Sequence, residues 1–257
     1  MKTAIRPFKI MSNGVRLAGY IMIPKNASGK LPTVIVSHGF GSNMLISYSY
    51  AKVFVDMGYA AVCYDFPNSG SSLFSGGSGV NMSVIDNKED LKNLLAYVRN
   101  LNFVDPDHII LAGCSQGGMV TALTAPEVED KIERIILYYP ALCIPDDARK
   151  GNVIGTKIDP NNVPDTFRAI VFKVGKKYPL DSMKLDPYKE ICGFKKPVFI
   201  VHGKEDMIVS NEYSVRAQKN YPDCTLKLIH GDHGFIFFGA RASKRATRKY
   251  LEEIKNV

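Results

Sequence analysis

Residues 109–123, "IILAGCSQGGMVTAL", set Ser115 at the centre of Gly113-Cys114-Ser115-Gln116-Gly117. An apolar run of strand character climbs to Ala112, and a second run of helical character starts after Gly118. A side chain held on a sharp strand-to-helix turn takes strained backbone angles, and neighbours with side chains would collide with the strand and helix beside it. Glycines two before and two after the serine remove that collision. The turn lifts the hydroxyl clear, and the helix N-terminus beneath it favours developing negative charge. Such a serine is a candidate nucleophile. Cys114 holds the position beside the apex and is read as a small buried packing residue.

A serine hydroxyl attacks only once a base takes its proton, and that base needs a carboxylate to orient it. Of the five histidines, His108 opens the strand at its far end and is read as structural. His202, in "FIVHGKED", lies late in a strand and is expected to support a turn; His38, in "SHGF", is expected to shape another with Gly39. His230 and His233 share "LIHGDHGF" after the last strand. His230 still fits the strand, whereas His233 lies in the loop beyond it and is favoured as the base. For the acid, Asp206 in "VHGKEDMIV" is favoured over its neighbour Glu205, which is expected to be exposed. Asp232 adjoins the base in sequence and would seldom reach its ring nitrogen, and Asp65 is read as part of an earlier turn. The oxyanion needs two N–H donors. The backbones of Gln116, after the serine, and of Phe40, after the first buried strand, are the candidates.

These residues must be carried by a common frame. "LPTVIVSHGF", "YAAVCYDF", "HIILAG", "IERIILYYP", "KPVFIVHG" and "TLKLIHG" are short apolar runs of strand type. "MLISYSYAKVFVDMG", "DNKEDLKNLLAYVRN", the run from Gln116 towards Ala125, and the closing "ARASKRATRKYLEEIKNV" read as helices. Continuous apolar strands alternating with helices predict an α/β fold, a mostly parallel twisted sheet with helices on both faces. The first residues, "MKTAIRPFKIMSNGVRLAGYIMIP", have no apolar leader core; their alternation and the "SNG" punctuation predict a hairpin. A segment at about 141–192 breaks the rhythm with prolines and polar turns. It is too long for a plain connection. Phe167, Ile170, Val171, Phe172, Val174 and Tyr178 within it imply that it packs on something, and it is read as a lid inserted over the carboxyl ends of the strands.

Composition narrows the class. The hydrophobic share is 46% and the charged share 23%, as in globular proteins, and no apolar run approaches the roughly 18–20 residues of a membrane helix. Cys63, Cys114, Cys143, Cys192 and Cys224 are odd in number and never in a CxxC pair, so reduced thiols, no metal site and a cytoplasmic location are expected. The net charge of +8 draws on Arg241, Lys244, Arg245, Arg248 and Lys249 of the closing helix. That cluster is read as a solvated face, with neither nucleic acid nor membrane as partner.

The order Ser115, Asp206, His233 is that of the α/β-hydrolase triad. Within that superfamily the chain resembles the bacterial cinnamoyl (feruloyl) esterases, on "SHGF", "GCSQGG", "KGNVIGTKIDPNNVPD", "KPVFIVHGKEDMIVS" and "LIHGDHGF". The resemblance covers most of the chain from about residue 30, as one domain over 1–257. It implies a serine esterase without cofactor, acting on small-molecule hydroxycinnamate esters through an acyl-enzyme, and a possible homodimer. Such relatives often carry histidine where this chain has Cys114. It also implies an acidic lid residue that reads the aromatic hydroxyl, near Asp146 or Asp147. Asp147 is the candidate, beside the alternative that it is an exposed turn carboxylate. Two further readings keep the same residues: a short-chain acyl esterase, thioesterase or peptidase, and a non-catalytic scaffold that only binds.

Overall fold

A hairpin opens the chain, β1 (Thr3–Ser12) and β2 (Val15–Pro24), in a computed structural model that describes residues 2–25 and 27–255. Asn13 and Gly14 make its two-residue turn at φ +50° and +76°, the left-handed pair that matches strand twist. Strands and helices then alternate: β3 (Leu31–Ser37), α1 (Met44–Asp56), β4 (Ala60–Asp65), α2 (Val84–Arg99), β5 (Val104–Cys114), α3 (Gln116–Thr124) and β6 (Arg134–Tyr138). The segment that follows folds as α4 (Ile144–Arg149), the hairpins β7 (Asn152–Val153) with β8 (Thr156–Lys157) and β9 (Thr166–Ala169) with β10 (Phe172–Gly175), then α5 (Lys177–Met183) and α6 (Pro187–Ile191). The chain closes with β11 (Val198–Gly203), α7 (Glu212–Asn220), β12 (Cys224–Ile229) and α8 (Ala240–Lys255).

Eight strands form one sheet in the order β1-β2-β4-β3-β5-β6-β11-β12. The pairs β1/β2 and β2/β4 are antiparallel and the other five are parallel. The central parallel stretches, residues 33–37, 60–65, 109–114, 135–138 and 198–203, are buried on both faces, whereas the edge strand β12 alternates between exposed and half-buried positions. Ile35 and Leu111 point to a core with Leu91, Leu94, Leu95 and Val98 of α2, while Val34, Val36 and Ala112 point to Phe54 of α1 and Leu251 of α8. Each leucine, isoleucine, valine or phenylalanine among these contributes roughly 1.5–3 kcal/mol through burial. Among the described residues no helix is long and apolar enough to cross a membrane.

Two elements depart from the sequence reading. Helix α7 buries only Ser214 and Ala217, so its polar sequence carries no apolar stripe to announce it. Strand β5 starts at Val104, earlier than "HIILAG", and its pairing with β3 shifts register between Leu31 and Thr33; Pro106, which has no N–H to donate, lies in that irregular part.

Helix α2 is tied to the hairpin by a buried carboxylate. Ser12 Oγ donates to Asp90 Oδ1 at 2.5 Å and Asn13 Nδ2 at 3.4 Å. Burial pushes the Asp90 carboxyl up to about 6 despite those bonds. Its folded value thus exceeds that of an unfolded aspartate, so the fold favours the protonated form; this contribution is full below about pH 4 and is lost as pH rises through about 6. Asp90→Asn should therefore gain on the wild type in melting temperature between about pH 5 and about pH 7.5. A difference in melting temperature that stays constant across that range would contradict the assignment.

Candidate active site

Ser115 sits at φ +51° and ψ −118°, between the end of β5 and the first residue of α3. The glycines make this turn possible by letting backbone approach backbone. A Cβ at Gly113 would lie 2.3 Å from Gly117 O, and one at Gly117 would lie 2.3 Å from His38 O and 2.5 Å from Ser37 O. Gly39 faces the serine itself, since a Cβ there would come within 3.1 Å of Ser115 Cβ. Gln116 opens α3, so its N–H belongs to the first turn, where helix donors have no intrahelical acceptor. Cys114 is buried, and burial pushes its thiol up to about 12, which keeps it a protonated packing group.

Three strand ends converge on the serine. His233 Nε2 lies 3.1 Å from Ser115 Oγ, and His233 Nδ1 lies 2.8 Å from Asp206 Oδ2. Asp206 follows β11 and His233 follows β12, so the topology brings together residues 118 and 27 positions apart. The other Asp206 oxygen accepts from the backbone N–H of Ile208 at 2.9 Å and Val209 at 2.8 Å. Burial alone would raise the Asp206 carboxyl, but bonds from His202, His233 and the Val209 amide hold it well below the usual carboxylate range. It is ionised at neutral pH and directs Nδ1–H of His233 towards itself, leaving Nε2 to face the serine.

The remaining candidates have other partners. His202 is fully buried; its Nε2 lies 3.0 Å from Val209 O and 3.2 Å from Asp206 Oδ2. Two acceptors there require the proton on Nε2, so His202 braces the Asp206 loop and carboxylate together. His38 joins strand ends: Nδ1 meets Gly39 O at 2.8 Å and Nε2 accepts from Phe66 N at 3.0 Å. Asp65 accepts from Met44 N and from the Ser72 hydroxyl, fixing the start of α1. Asp232 accepts from the Phe237 and Phe238 amides. His230 is exposed beside Glu205 at 2.9 Å, and His108 is exposed beside Asp105. Arg241, Lys244, Arg245, Arg248 and Lys249 are all exposed on α8.

Ser115 and His233 open into a cavity of about 500 Å³ whose other walls include Phe40, Gln116, Asp147 and Tyr178. The segment between β6 and β11 lines it with Ile144, Asn152, Ile154 and Ile170. Asp146 is engaged with Arg149 at 3.2 Å and Tyr213 at 3.4 Å, whereas Asp147, half-buried, faces the cavity. The sequence reading missed what holds Gln116. The Tyr178 hydroxyl donates to Gln116 Oε1 at 2.7 Å, and Gln116 Nε2 donates to Asn87 Oδ1 at 3.3 Å. A long polar side chain directly after the candidate serine was the one available signal. The rings of Phe172 and Tyr178 also pack on Phe40, with centroids 5.7 and 6.0 Å away.

A family model described as serine aminopeptidase, S33, matches residues 30–171, more than half of the chain. The chain belongs to this family. It is a serine hydrolase with the α/β-hydrolase fold. The structure of Est1E from Butyrivibrio proteoclasticus with ferulic acid bound is similar at a TM-score of 0.89 and 29% identity, covering 96% of this chain and 98% of that one. The quorum-quenching protein AidA of Acinetobacter baumannii is 22% identical over 292 residues, 96% of this chain and 93% of AidA. The uncharacterized protein YqkD of Bacillus subtilis is 24% identical over 251 residues, 95% of this chain and 77% of YqkD.

The crossing beneath Ser115 is sensitive to a single methyl group. The three atoms that a Gly117 side chain would strike, His38 O at 2.3 Å, Ser37 O at 2.5 Å and Ser37 C at 2.7 Å, are all backbone of β3 and its exit, which cannot rotate away. In this hydrolase Gly117→Ala should cost at least about 1–3 kcal/mol of stability through overpacking. Chemical denaturation measures it, and a midpoint equal to that of the wild type would refute the close approach.

Proposed function

We propose that this hydrolase cleaves carboxylic esters of hydroxycinnamate (feruloyl) type through an acyl-enzyme. The observation that carries the reading is the line Asp206–His233–Ser115, at 2.8 and 3.1 Å, opening into a cavity. Ser115 Oγ attacks the ester carbonyl carbon while His233 Nε2 takes its proton. Asp206 holds the imidazole and stabilises the imidazolium that forms. The backbone N–H groups of Phe40 and Gln116 receive the oxyanion; one such donor contributes on the order of 3–4 kcal/mol to the transition state. As the tetrahedral intermediate collapses, His233 gives its proton to the departing alcohol. Water then attacks the acyl-serine by the same path and frees the acid.

The feruloyl preference is supported by Est1E, a protein 29% identical that was solved with ferulic acid, and by the polar groups on the cavity wall. Asp147 faces the space, and Asn152 Oδ1, on the same wall, is buried without a hydrogen-bond partner. An unmatched acceptor and a carboxylate in a mostly apolar pocket suit an acyl group with a ring hydroxyl to donate.

Hydrolysis of methyl ferulate beside p-nitrophenyl butyrate tests the proposal. Preference for the ferulate is expected, with both activities abolished in Ser115→Ala and reduced roughly 10³–10⁴-fold in kcat by Asp206→Asn. Asp147→Ala should raise KM for methyl ferulate about tenfold with butyrate turnover unchanged. Turnover of butyrate alone would remove the feruloyl assignment and keep the ester hydrolase. Full activity in Ser115→Ala would remove both.

A further inference from the structure

Behind His233, on the side away from the cavity, stands a residue with an uncommon backbone. Tyr139 follows β6 at φ +38°, in the left-handed region that costs energy for any residue with a side chain and persists only where the surroundings impose it. Its backbone N–H donates to Val201 O at 2.8 Å, which pins it between β6 and β11. The side chain is buried, and its ring meets the imidazole of His233 edge-on, centroids 4.7 Å apart at 63°. The same ring packs against Phe235 at 5.0 Å. It thus touches the segment His233–Phe235 at both ends.

A second constraint reaches the same segment by hydrogen bonding. The hydroxyls of Tyr139 and Tyr50 are 2.6 Å apart, and Tyr50 Oη lies 3.0 Å from Gly234 O. A carbonyl oxygen only accepts, so Tyr50 donates to Gly234 and Tyr139 donates to Tyr50. Tyr50 lies on α1, the helix entered from the loop that carries Phe40. Gly234 follows His233 directly and takes φ +78°, a backbone free to swing unless its carbonyl is held. Neither tyrosine lines the cavity, so neither is placed to touch a substrate.

We propose that Tyr50 and Tyr139 are positioning residues for His233: the Tyr139 ring fixes the plane of the imidazole, and the two-hydroxyl relay anchors the carbonyl next to it. The inference rests on the reading of His233 as general base. Packing alone would be served by phenylalanine at either position. The hydroxyls matter because the loop's other described ties, Asp206 on the imidazole, Asp232 O on the Phe235 amide at 3.2 Å and the Asp232 carboxylate on the Phe237 and Phe238 amides, leave the Gly234 carbonyl itself to Tyr50. Ring and relay together remove the rotations that would carry Nε2 away from Ser115.

Tyr50→Phe keeps the ring and deletes the bond to Gly234. With p-nitrophenyl butyrate, whose use is independent of acyl preference, its kcat should fall about 10- to 100-fold while KM stays within about twofold, since a displacement of order 1 Å suffices for such losses. The proton NMR signal of His233 Nδ1–H, far downfield because it is shared with Asp206, should broaden or vanish. Tyr139→Phe leaves Tyr50 bonded to Gly234 and should show the smaller loss of the two. Wild-type kcat and an intact signal in Tyr50→Phe, whatever its melting temperature, would overturn the proposal and mark the pair as packing. If that variant does not fold, Tyr139→Phe decides: a kcat and signal equal to the wild type overturn it equally. A wild-type protein that hydrolyses neither ester would instead remove the general base on which the inference stands.

Discussion

The crossing of α3 over the ends of β3 and β5 is the constraint on which the site depends. Ser115 holds φ +51° because its neighbours leave no other route. Ser115 N donates to Tyr138 O at 3.0 Å, and Ser115 O accepts from Met119 N at 3.0 Å and Ala141 N at 2.9 Å. The residue is therefore bonded to β6, to its own helix and to the start of the inserted segment at once. Its strain is borne by these bonds and by contacts between glycine backbones that any side chain would break. The gain is directional. A hydroxyl on that turn rises above the sheet, with the first N–H groups of α3 pointing at the space where charge would develop.

The inserted segment is footed on the same frame. Its helix α5 reaches α2 twice, through the Ser83 hydroxyl, which donates to Asp181 Oδ2 at 2.7 Å while capping α2, and through Lys177 and Asp86 at 2.5 Å. Its hairpin β9/β10 carries Phe172 over Gly41, where a Cβ would strike the ring at 2.6 Å. The inserted segment and the loop that carries Phe40 therefore share a wall, and Tyr178 extends the contact to the side chain of Gln116. The inserted segment and the Phe40 and Gln116 backbones are coupled through packed rings and one buried amide, so a change in either is felt by the other.

What could be read in the sequence follows from range. The strands β3, β4, β5, β6, β11 and β12, the opening hairpin and helices α1, α2 and α3 are local, each an apolar-rich run with its own period and its own stops, and α8 shows a helical period in a mostly charged run. The candidate serine was legible for the same reason, since its steric demand falls within five consecutive positions. The convergence of Asp206 and His233 could be expected because parallel strands put successive loops at one edge of the sheet. Partners chosen by three-dimensional proximity were not legible. Nothing near Tyr178, Asn87 or Tyr139 in sequence tells that they meet Gln116 or His233, and α7 has too few apolar residues to stand out as a helix. His202 was read as a support for its turn, but its second contact, the Asp206 carboxylate, depends on how that turn folds back.

That second contact bears on how the charge at Asp206 is held. A carboxylate with no exposed side-chain surface is costly unless every oxygen is matched. Here one oxygen takes two backbone amides and the other takes two imidazoles. The amides and His202 belong to the frame of β11 and its exit, so they satisfy the charge even when His233 turns away. A single partner would have left a buried anion with unmatched oxygens. Sharing the carboxylate among four donors lowers the dependence on any one of them. The charge beside His233 is thus held by the fold and not by that imidazole alone.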